Sequence, residues 1–464
     1  MKAHLTLLAA SLVLAACGSP LPKPDSGIDP QPAWQNIETP GARADNQQWW
    51  THFGSPQLNR LIERTRLDSH DLAAAMARVR QAQASVVIAG ASLLPEIKAG
   101  LNGNRQELLR GKGYSQLDVS RDNRTIDYYD ANLSASYELD FWGGKRAARD
   151  SALSNLSASQ FDRATVELTL LSGVANSYTQ ALSLGEQQRI AELNLANAQS
   201  VLDLVQTRYD AGSATALELS QQKSLVAAQQ RRLPQVQQQA REAAITLATL
   251  LGQPVQSLSL ADEQFDRVHW PAIDAGVPSE LLRRRPDIAA AEARLTAAEA
   301  DIRVARAALL PSVTLGLSLG TGADIADQLL RNNVYNLTAG LSAPIFNNGR
   351  LKAERDKARA RQEELLELYR AAIVNGFADV EKALSSIRGI DQQRQWQTEE
   401  LHQAQNAFDI AQSRYQAGAE DLLTVLETQR TLYAAQDMNV QLRLARVQAS
   451  VALYKALGGG WQVN

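Results

Sequence analysis

Residues 71–95 and 287–311 align without a gap, a shift of 287 − 71 = 216, and 13 of the 25 positions are identical. The identities include Asp71 with Asp287, Arg78 with Arg294, Ala89 with Ala305, and Leu93-Leu94-Pro95 with Leu309-Leu310-Pro311. Further on, Leu139-Asp140-Phe141-Trp142-Gly143-Gly144-Lys145 answers Pro344-Ile345-Phe346-Asn347-Asn348-Gly349-Arg350 at a shift of 205. Arg208-Tyr209-Asp210-Ala211-Gly212 answers Arg414-Tyr415-Gln416-Ala417-Gly418 at 206, as does Leu250-Leu251-Gly252 against Ala456-Leu457-Gly458. Two copies of one unit of roughly 200 residues therefore make up most of the chain. Each unit reads as helix, strand, strand, long helix, turn, helix.

The second copy shows the element boundaries best. An Ala-rich run from Asp287 continues without Gly or Pro to Leu310. At Pro311 the period changes: Val313, Leu315, Leu317 and Leu319 alternate with Ser312, Thr314, Gly316 and Ser318. Proline ends a helix and favours an extended residue before it, and the alternation predicts a strand with one apolar face. Three more segments alternate in this way: 97–103, the least regular, 132–139 and 336–343. Each is roughly 8–10 residues, the length that crosses a bilayer as a tilted strand. Edge strands of a soluble sheet are the plainer reading. They are disfavoured because the opposite faces are small and polar and no second layer is at hand to bury the apolar ones. The strands pair as hairpins, one with a long polar loop over about 105–130 and one with a shorter loop over about 321–335. Long loops on one side fit the outer face of an outer-membrane barrel.

The helices are long. No proline occurs between Pro95 and Pro234 or after Pro344, so one helix can run over about 146–209, ~96 Å at 1.5 Å per residue. Its copy spans about 351–415, where Ile373, Phe377, Val380, Leu384 and Ile387 keep heptad-like steps. Gly212 and Gly418 suit reversals, with helices returning over 216–250 and 422–457. A helix is also expected over 72–93, beginning as early as Gln57. A returning helix of ~52 Å and an ascending one of ~33 Å nearly match the long helix when stacked end to end. The segment 252–286 should gather with the N-terminal arm and the C-terminal tail as a belt.

Composition supports long helices over a compact enzyme core: aromatics are 5 % of 464 residues. A net charge of −3 gives no reason to expect nucleic acid. The single cysteine, Cys17, excludes an intrachain disulfide. Lys2 and the apolar stretch from Leu5 to Ala16 form a signal peptide. Leu14-Ala15-Ala16-Cys17 is similar to a bacterial lipobox, which would make Cys17 a lipidated N-terminus, and Gly18 after it favours the outer membrane by the same resemblance. The alternative is a cysteine lost with an ordinary signal peptide. No later stretch has 18 apolar residues in a row, so a transmembrane helix is not expected. The expected organisation is a signal peptide 1–16, a lipidated arm 17–57, a first repeat 58–251, an equatorial connector 252–286, a second repeat 287–458 and a tail 459–464.

Other chemistries find no support. His4, His52, His70, His269 and His402 lack metal-ligand spacing. Gly143-Gly144-Lys145 lacks the remaining Walker glycine and a preceding buried strand. Arg283-Arg284-Arg285 reads as a solvated turn at a helix start rather than a nucleic-acid site. No nucleophile motif stands out, and neither an enzyme nor a cofactor is implied.

Four strands cannot close a barrel, and an open edge cannot face lipid, where its backbone groups have no water to bond. Other copies must supply the missing strands. Two copies give 8 strands and a filled interior, whereas three give 12 and room for a channel. The small polar inner faces suit water and favour three.

The chain resembles the TolC-like outer membrane factors, specifically the lipid-anchored efflux lipoproteins of the NodT branch. The resemblance runs from Trp49 onward. It rests on Trp49-Trp50 before Phe53, the two Leu-Leu-Pro helix ends, Pro278-Ser279-Glu280-Leu281-Leu282-Arg283-Arg284-Arg285-Pro286-Asp287, Pro344-Ile345-Phe346 with Gly349-Arg350, and Leu453-Tyr454-Lys455-Ala456-Leu457-Gly458-Gly459-Gly460-Trp461. The Val-Gly-Pro-Asp-Tyr run common after the lipidated cysteine is missing here. The family implies a mainly α chain with a membrane β-barrel: a homotrimer whose 12-stranded outer-membrane barrel, four strands per chain, continues into a long α-helical periplasmic barrel. It also implies a periplasmic adaptor (membrane fusion) protein and an inner-membrane pump of RND or ABC type. The chain would then be a passive exit duct for drugs, siderophores or other small molecules. The competing class is a lipid-anchored periplasmic coiled-coil scaffold without a channel.

By the same resemblance, Arg208, Tyr209 and Gly212, with Arg414, Tyr415 and Gly418, form periplasmic tips that meet the adaptor. A simple helix cap with a packing tyrosine is the plainer reading. Leu423 and Glu427 match positions that form an apolar ring and an acidic ring closing the resting channel. Three carboxylates around an axis attract cations, and Arg430 would hold the helices shut by a charge pair. An ordinary coiled-coil seam with solvated charges is the alternative.

Overall fold

The computed structural model describes residues 26–35, 42–43, 48–107, 125–260 and 263–461. The signal peptide, Cys17, much of the arm and most of the first hairpin loop lie outside the described residues. In chain order the elements are β1 (Ala42–Arg43), α1 (Pro56–Asp68), α2 (His70–Ala91), β2 (Glu96–Glu107), β3 (Thr125–Leu139), α3 (Gly144–Asp210), α4 (Ala216–Leu250), β4 (Ile273–Asp274), α5 (Pro278–Arg284), α6 (Pro286–Ala307), β5 (Ser312–Ala323), β6 (Asn333–Ser342), α7 (Arg350–Gln416) and α8 (Leu422–Ala456). Lengths match in pairs: 22 residues for α2 and α6, 67 for α3 and α7, 35 for α4 and α8. Among the described residues four short 3₁₀ segments lie in the connections, the first at Trp49–Phe53.

The described residues divide into two compact units, the first drawn from 80–158 and 291–368 and the second from 27–79, 159–290 and 369–461. The first unit carries a four-stranded antiparallel sheet in the order β2-β3-β5-β6. β2, β3 and β5, at 12, 15 and 12 residues, are longer than the expected 8–10, whereas β6 has 10. β2 and β3 stay paired out to Glu107 and Thr125, beyond the loop boundaries read from the sequence. Cross-strand polar pairs carry the ladder there: Arg105 with Asp127 at 3.2 Å, and the Asn102 amide donating to Asp130 at 2.9 Å. α6 ends at Ala307, four residues before Pro311, because proline pushes the preceding backbone toward extended geometry.

Asp140, just beyond β3, fastens strand to helix. Its carboxylate accepts from the Lys145 and Arg146 backbone amides at 3.0 Å each and from the Arg146 guanidinium at 3.0 Å. These amides belong to the first turn of α3, which has no intrahelical acceptor for them, and the helix dipole favours an anion at that end. On the other side, the Trp142 indole donates to the Pro311 carbonyl at 2.6 Å. Gly144 lies so close to Ala307 that an added Cβ would come within 2.7 Å of the alanine methyl.

The second unit is organised around buried aromatics. Trp49, Trp50 and Phe53 are 1 %, 3 % and 0 % exposed; Trp49 stacks on Tyr454 with centroids 5.4 Å apart, and the Tyr454 hydroxyl meets His52 Nδ1 at 2.9 Å. The end of the N-terminal arm is thus core. The arm and the 252–286 segment do come together: the Trp34 indole donates to the Gly276 carbonyl at 2.9 Å, and Ala42 pairs with Ile273 in a two-stranded parallel ladder. The helix expected over 72–93 is α2, and the earlier start at Gln57 belongs to a separate helix, α1, because the chain is extended at Ser69 with ψ 126°. Gly252 at φ 70° sits against this break, where a Cβ would lie 2.9 Å from the Asp68 carbonyl.

The heptad-spaced residues behave as a seam, with Ile373, Val380 and Leu384 buried and Phe377 and Ile387 half-buried against the core. Pro234 lies inside α4 without ending it. The arginine run is not simply solvated: Arg285 is 9 % exposed and bonds Asp287 at 2.7 and 3.0 Å, Asp379 at 3.0 Å and the Ala456 carbonyl. A buried guanidinium needs this number of acceptors to offset its lost hydration.

Partial burial works against the charge on Asp140, but the hydrogen bonds from Arg146 and Lys145 and the Arg146 charge outweigh it and hold its carboxyl below the ordinary 3.8. Its contribution is therefore complete above pH 3.8 and lost as pH falls through the depressed folded value. Asp140→Ala should cost about 1 kcal/mol, the usual scale for a lost helix cap. The loss should appear as a lower dissociation temperature of the membrane-extracted protein at neutral pH. The difference from wild type should shrink toward zero in acid; a difference that persists in acid would assign the cost to something other than the carboxylate.

Candidate functional site

The sheet has two unlike faces, set by the period of two. Ile97, Ala135, Leu317 and Leu337 stand in one cross-strand row, and Ala99, Leu133, Leu319 and Tyr335 in the next row of that face. The opposite face carries Lys98, Ser134, Ser318 and Asn336 in one row and Glu96, Ser136, Gly316 and Thr338 in another. The apolar side chains are exposed: Ile97 69 %, Leu101 75 %, Leu337 79 % and Leu341 74 %. Moving each such side chain out of water is worth about 1.5–3 kcal/mol, so this face strongly favours an apolar surround. From Leu139 to Tyr129 the band spans about ten residues, which at ~3.4 Å per residue and a tilt near 40° gives roughly 25 Å. Tyr137 lies toward one end of the band and Tyr129 at the other, as aromatic girdles do, while Tyr335 stands in the Leu133 row near its middle. The Arg105–Asp127 pair follows beyond Tyr129 on the same face and marks its polar limit. Among the described residues, the outer strands β2 and β6 each have one unpaired edge. Among the described residues no helix is long and apolar enough to cross a membrane.

The two Arg-Tyr-x-x-Gly turns are brought together but are not equivalent. Both glycines adopt φ 77°, and each turn closes as a helix cap, with Ser213 N–H donating to the Arg208 carbonyl and Ala419 N–H to the Arg414 carbonyl, both at 2.8 Å. Arg208 then reaches across to the other turn. Its guanidinium donates to the Tyr415 and Gln416 carbonyls at 2.6 and 3.2 Å and lies 4.3 Å from the Tyr415 ring centre. A cation on the last carbonyls of α7 suits the negative end of that helix. Tyr415 is 2 % exposed; burial pushes its phenol up, against the opposing Arg208 charge. Arg414 stays within its own turn, bound to Glu420 at 3.2 Å and to the Ala419 carbonyl, while Tyr209 is 40 % exposed. The cross-turn bond from Arg208 was hidden in a sequence whose two motifs look alike.

The start of α8 separates its residues cleanly. The Asp421 side chain caps it by accepting from Thr424 N–H at 2.9 Å. Leu422, Val425, Leu426 and Gln429 are buried, whereas Leu423, Glu427 and Arg430 are exposed on the other face, at helical spacings of four and three. Arg430 and Glu427 have no ion-pair partner among the described residues, so the charge pair expected of Arg430 is not made within the chain. Leu423 and Glu427 thus lie one turn apart on the exposed face of a helix whose other face is packed. Among the described residues no group of three or more His, Cys, Asp or Glu side chains could hold a metal.

The comparisons with known proteins agree with this geometry. The model of the outer membrane efflux protein family matches residues 61–253 and again 277–459. The pyoverdine export outer membrane protein OpmQ of Pseudomonas aeruginosa is 63 % identical over 460 residues, covering 99 % of this chain and 97 % of that one. Its namesake in Pseudomonas putida is 59 % identical over 462 residues, covering 99 % and 98 %. The solved outer-membrane channel OprN superposes with a TM-score of 0.87 at 28 % identity, covering 96 % of this chain and 99 % of that one. A scaffold without a channel does not fit these relatives or a sheet with an exposed apolar face. The chain therefore belongs to the outer membrane efflux protein family and is an outer-membrane channel of an efflux pump, a transport duct and not an enzyme.

Proposed function

We propose that three copies of this chain close a 12-stranded barrel in the outer membrane and that the assembly is the exit duct for a siderophore. The observation that carries this reading is a four-stranded sheet with one exposed apolar face, one small polar face and two unpaired edges. Lipid suits the first face and a water-filled lumen the second, and only further strands satisfy the edges. Three copies leave room for a channel where two would fill it with side chains. The siderophore assignment rests on the 63 % identity to a pyoverdine exporter along almost the whole chain. Cargo reaches the duct from an inner-membrane pump of RND or ABC type through a periplasmic adaptor. Lipidation at Cys17 anchors the arm, and the two turns around Arg208, Tyr209, Gly212, Arg414, Tyr415 and Gly418 meet the adaptor. The first repeat (58–251), the connector (252–286) and the second repeat (287–458) serve as the working divisions of the chain.

In the same assembly the exposed face of α8 surrounds the axis. Three Leu423 side chains plug it, three Glu427 carboxylates form a cation-attracting ring one turn on, and Arg430 pairs between copies. The surfaces this requires are exposed and their backing residues are buried, so substitutions there leave the fold intact.

Two measurements test the reading. Deleting the gene should retain the siderophore inside the cells, measured by mass spectrometry of medium and cell fractions, and restoring the chain should return it to the medium; unchanged secretion would reject the cargo. Leu423→Ala with Glu427→Ala should raise single-channel conductance in planar bilayers while barrel insertion is unaffected. Glu427→Ala alone should weaken cation preference more than it widens the pore, since a charge and not bulk is lost. Equal conductance and selectivity in wild type and double variant would place the constriction elsewhere.

A further inference from the structure

The last turns of α8 present two different faces. Val440, Leu444, Val447, Val451 and Tyr454 pack into the aromatic core with Trp49, Phe53 and Phe265. Ala445, Ala449, Ala452 and Ala456 follow at steps of four, three and four on a second face, roughly a third of a turn round the helix. Their small side chains floor a cavity of about 540 Å³, which α3 walls with Thr165 and Thr169 and α7 with Lys382 and Ser386. The two walls also send other faces into the aromatic core, through Leu171, Val174 and Tyr178 of α3 and Val380 and Leu384 of α7. The belt joins that core through Phe265 and Val268, on the side away from the cavity. A volume of several hundred Å³ is the size of sites that take small organic molecules.

The charges of the lining are unevenly used. Asp287 and Asp379 are its carboxylates, and the buried Arg285 holds both, Asp287 at 2.7 and 3.0 Å and Asp379 at 3.0 Å. Lys382 and Lys455 are exposed and make no ion pair among the described residues. Thr169, Ser386 and Gln448 add two hydroxyls and an amide whose donors are not used elsewhere among the described residues. With its acids neutralised from within, the cavity offers two free cations and three neutral donors. That set matches an anion that also carries further oxygen acceptors.

We propose that this cavity is a binding site for cargo on the inner wall of the duct, where Lys382 and Lys455 hold the carboxylates of an anionic small molecule and Thr169, Ser386 and Gln448 donate to its other oxygens. The proposal rests on the duct reading above and adds a site to it. A belt on the inner side of a ring of helices would obstruct the passage, so the belt side is the outer one and the cavity opens to the lumen. Passage requires a site that binds strongly enough to admit cargo and weakly enough to release it; exposed lysines on an open groove meet that condition. Lys455 lies ~42 Å along α8 from Glu427, several screening lengths away, so the acidic side chains there do not cancel it.

The test uses the full chain extracted in detergent, with citrate as the carboxylate probe and sorbitol as its uncharged counterpart. Equilibrium dialysis should show saturable binding of labelled citrate and none of sorbitol. Lys382→Gln with Lys455→Gln should weaken citrate binding by roughly tenfold for each lysine lost, while Lys382→Arg with Lys455→Arg should retain most of it. No saturable citrate binding, or equal binding by wild type and the glutamine variant, would overturn the site; the duct reading would stand if the same preparation still conducted ions in planar bilayers, and would fall with the site if it did not. Lys382→Glu with Lys455→Glu should move the reversal potential of the pore in a salt gradient toward cation preference. An unshifted potential in a variant that no longer binds citrate would place the cavity outside the lumen and overturn its role in passage.

Discussion

The backbone hydrogen-bonding groups at the edges of a four-stranded sheet have no acceptable partner in hydrocarbon, and much of this structure follows from that constraint. The face that carries Leu317, Leu319 and Leu337 is too apolar to stay in water. The same strands therefore need lipid on one side and further strands on both edges. Neither need is met within the chain, which is why an exposed apolar face here signals environment and assembly rather than poor packing.

The helical portion answers a different problem. Helices of 67 residues carry no apolar stretch fit for lipid, so their stability comes from side-chain seams and from fixed ends. Asp140 binds the first amides of α3, Asp421 caps α8, and Arg208 covers the last carbonyls of α7. Trp49, Phe53 and Tyr454 hold the N-terminal segment against the end of α8. Gly458, at φ 87°, lets that end approach the Arg284 carbonyl so closely that any Cβ would collide with it. With Leu422, Val425 and Leu426 buried, Leu423 and Glu427 project from the opposite, exposed face of α8.

Periodicity made the architecture legible. The alternation from Val313 to Leu319 named a strand and its faces, and the steps from Ile373 to Ile387 named a seam. Local pattern was weaker where tertiary contacts decide. The break at Ser69 places Asp68 against Gly252, far away in sequence. Strand lengths were underestimated because the pairs beyond the apolar band, such as Arg105 with Asp127, are polar and read as loop. Arg285 looked solvated in a run of three arginines, yet Asp379 and the Ala456 carbonyl meet it from distant segments. Of the candidate site, Leu423 and Glu427 were singled out by resemblance, and their one-turn spacing places them on the one helical face that the structure leaves exposed. The inequality of the two turns did not, since only the fold shows Arg208 crossing to Tyr415.

The central claim is that one face of the sheet meets lipid and the other meets water. The most direct measurement is a single-cysteine scan along β5, Ser312–Ala323, in the reconstituted protein, with a small fluorophore at each position and quenchers in the lipid chains or in the aqueous phase. Labels should alternate strictly, those at 313, 315, 317 and 319 quenched from the lipid and those at 314, 316 and 318 quenched from the water. Uniform aqueous quenching at all of these positions would contradict it, because the strand would then lie outside the bilayer.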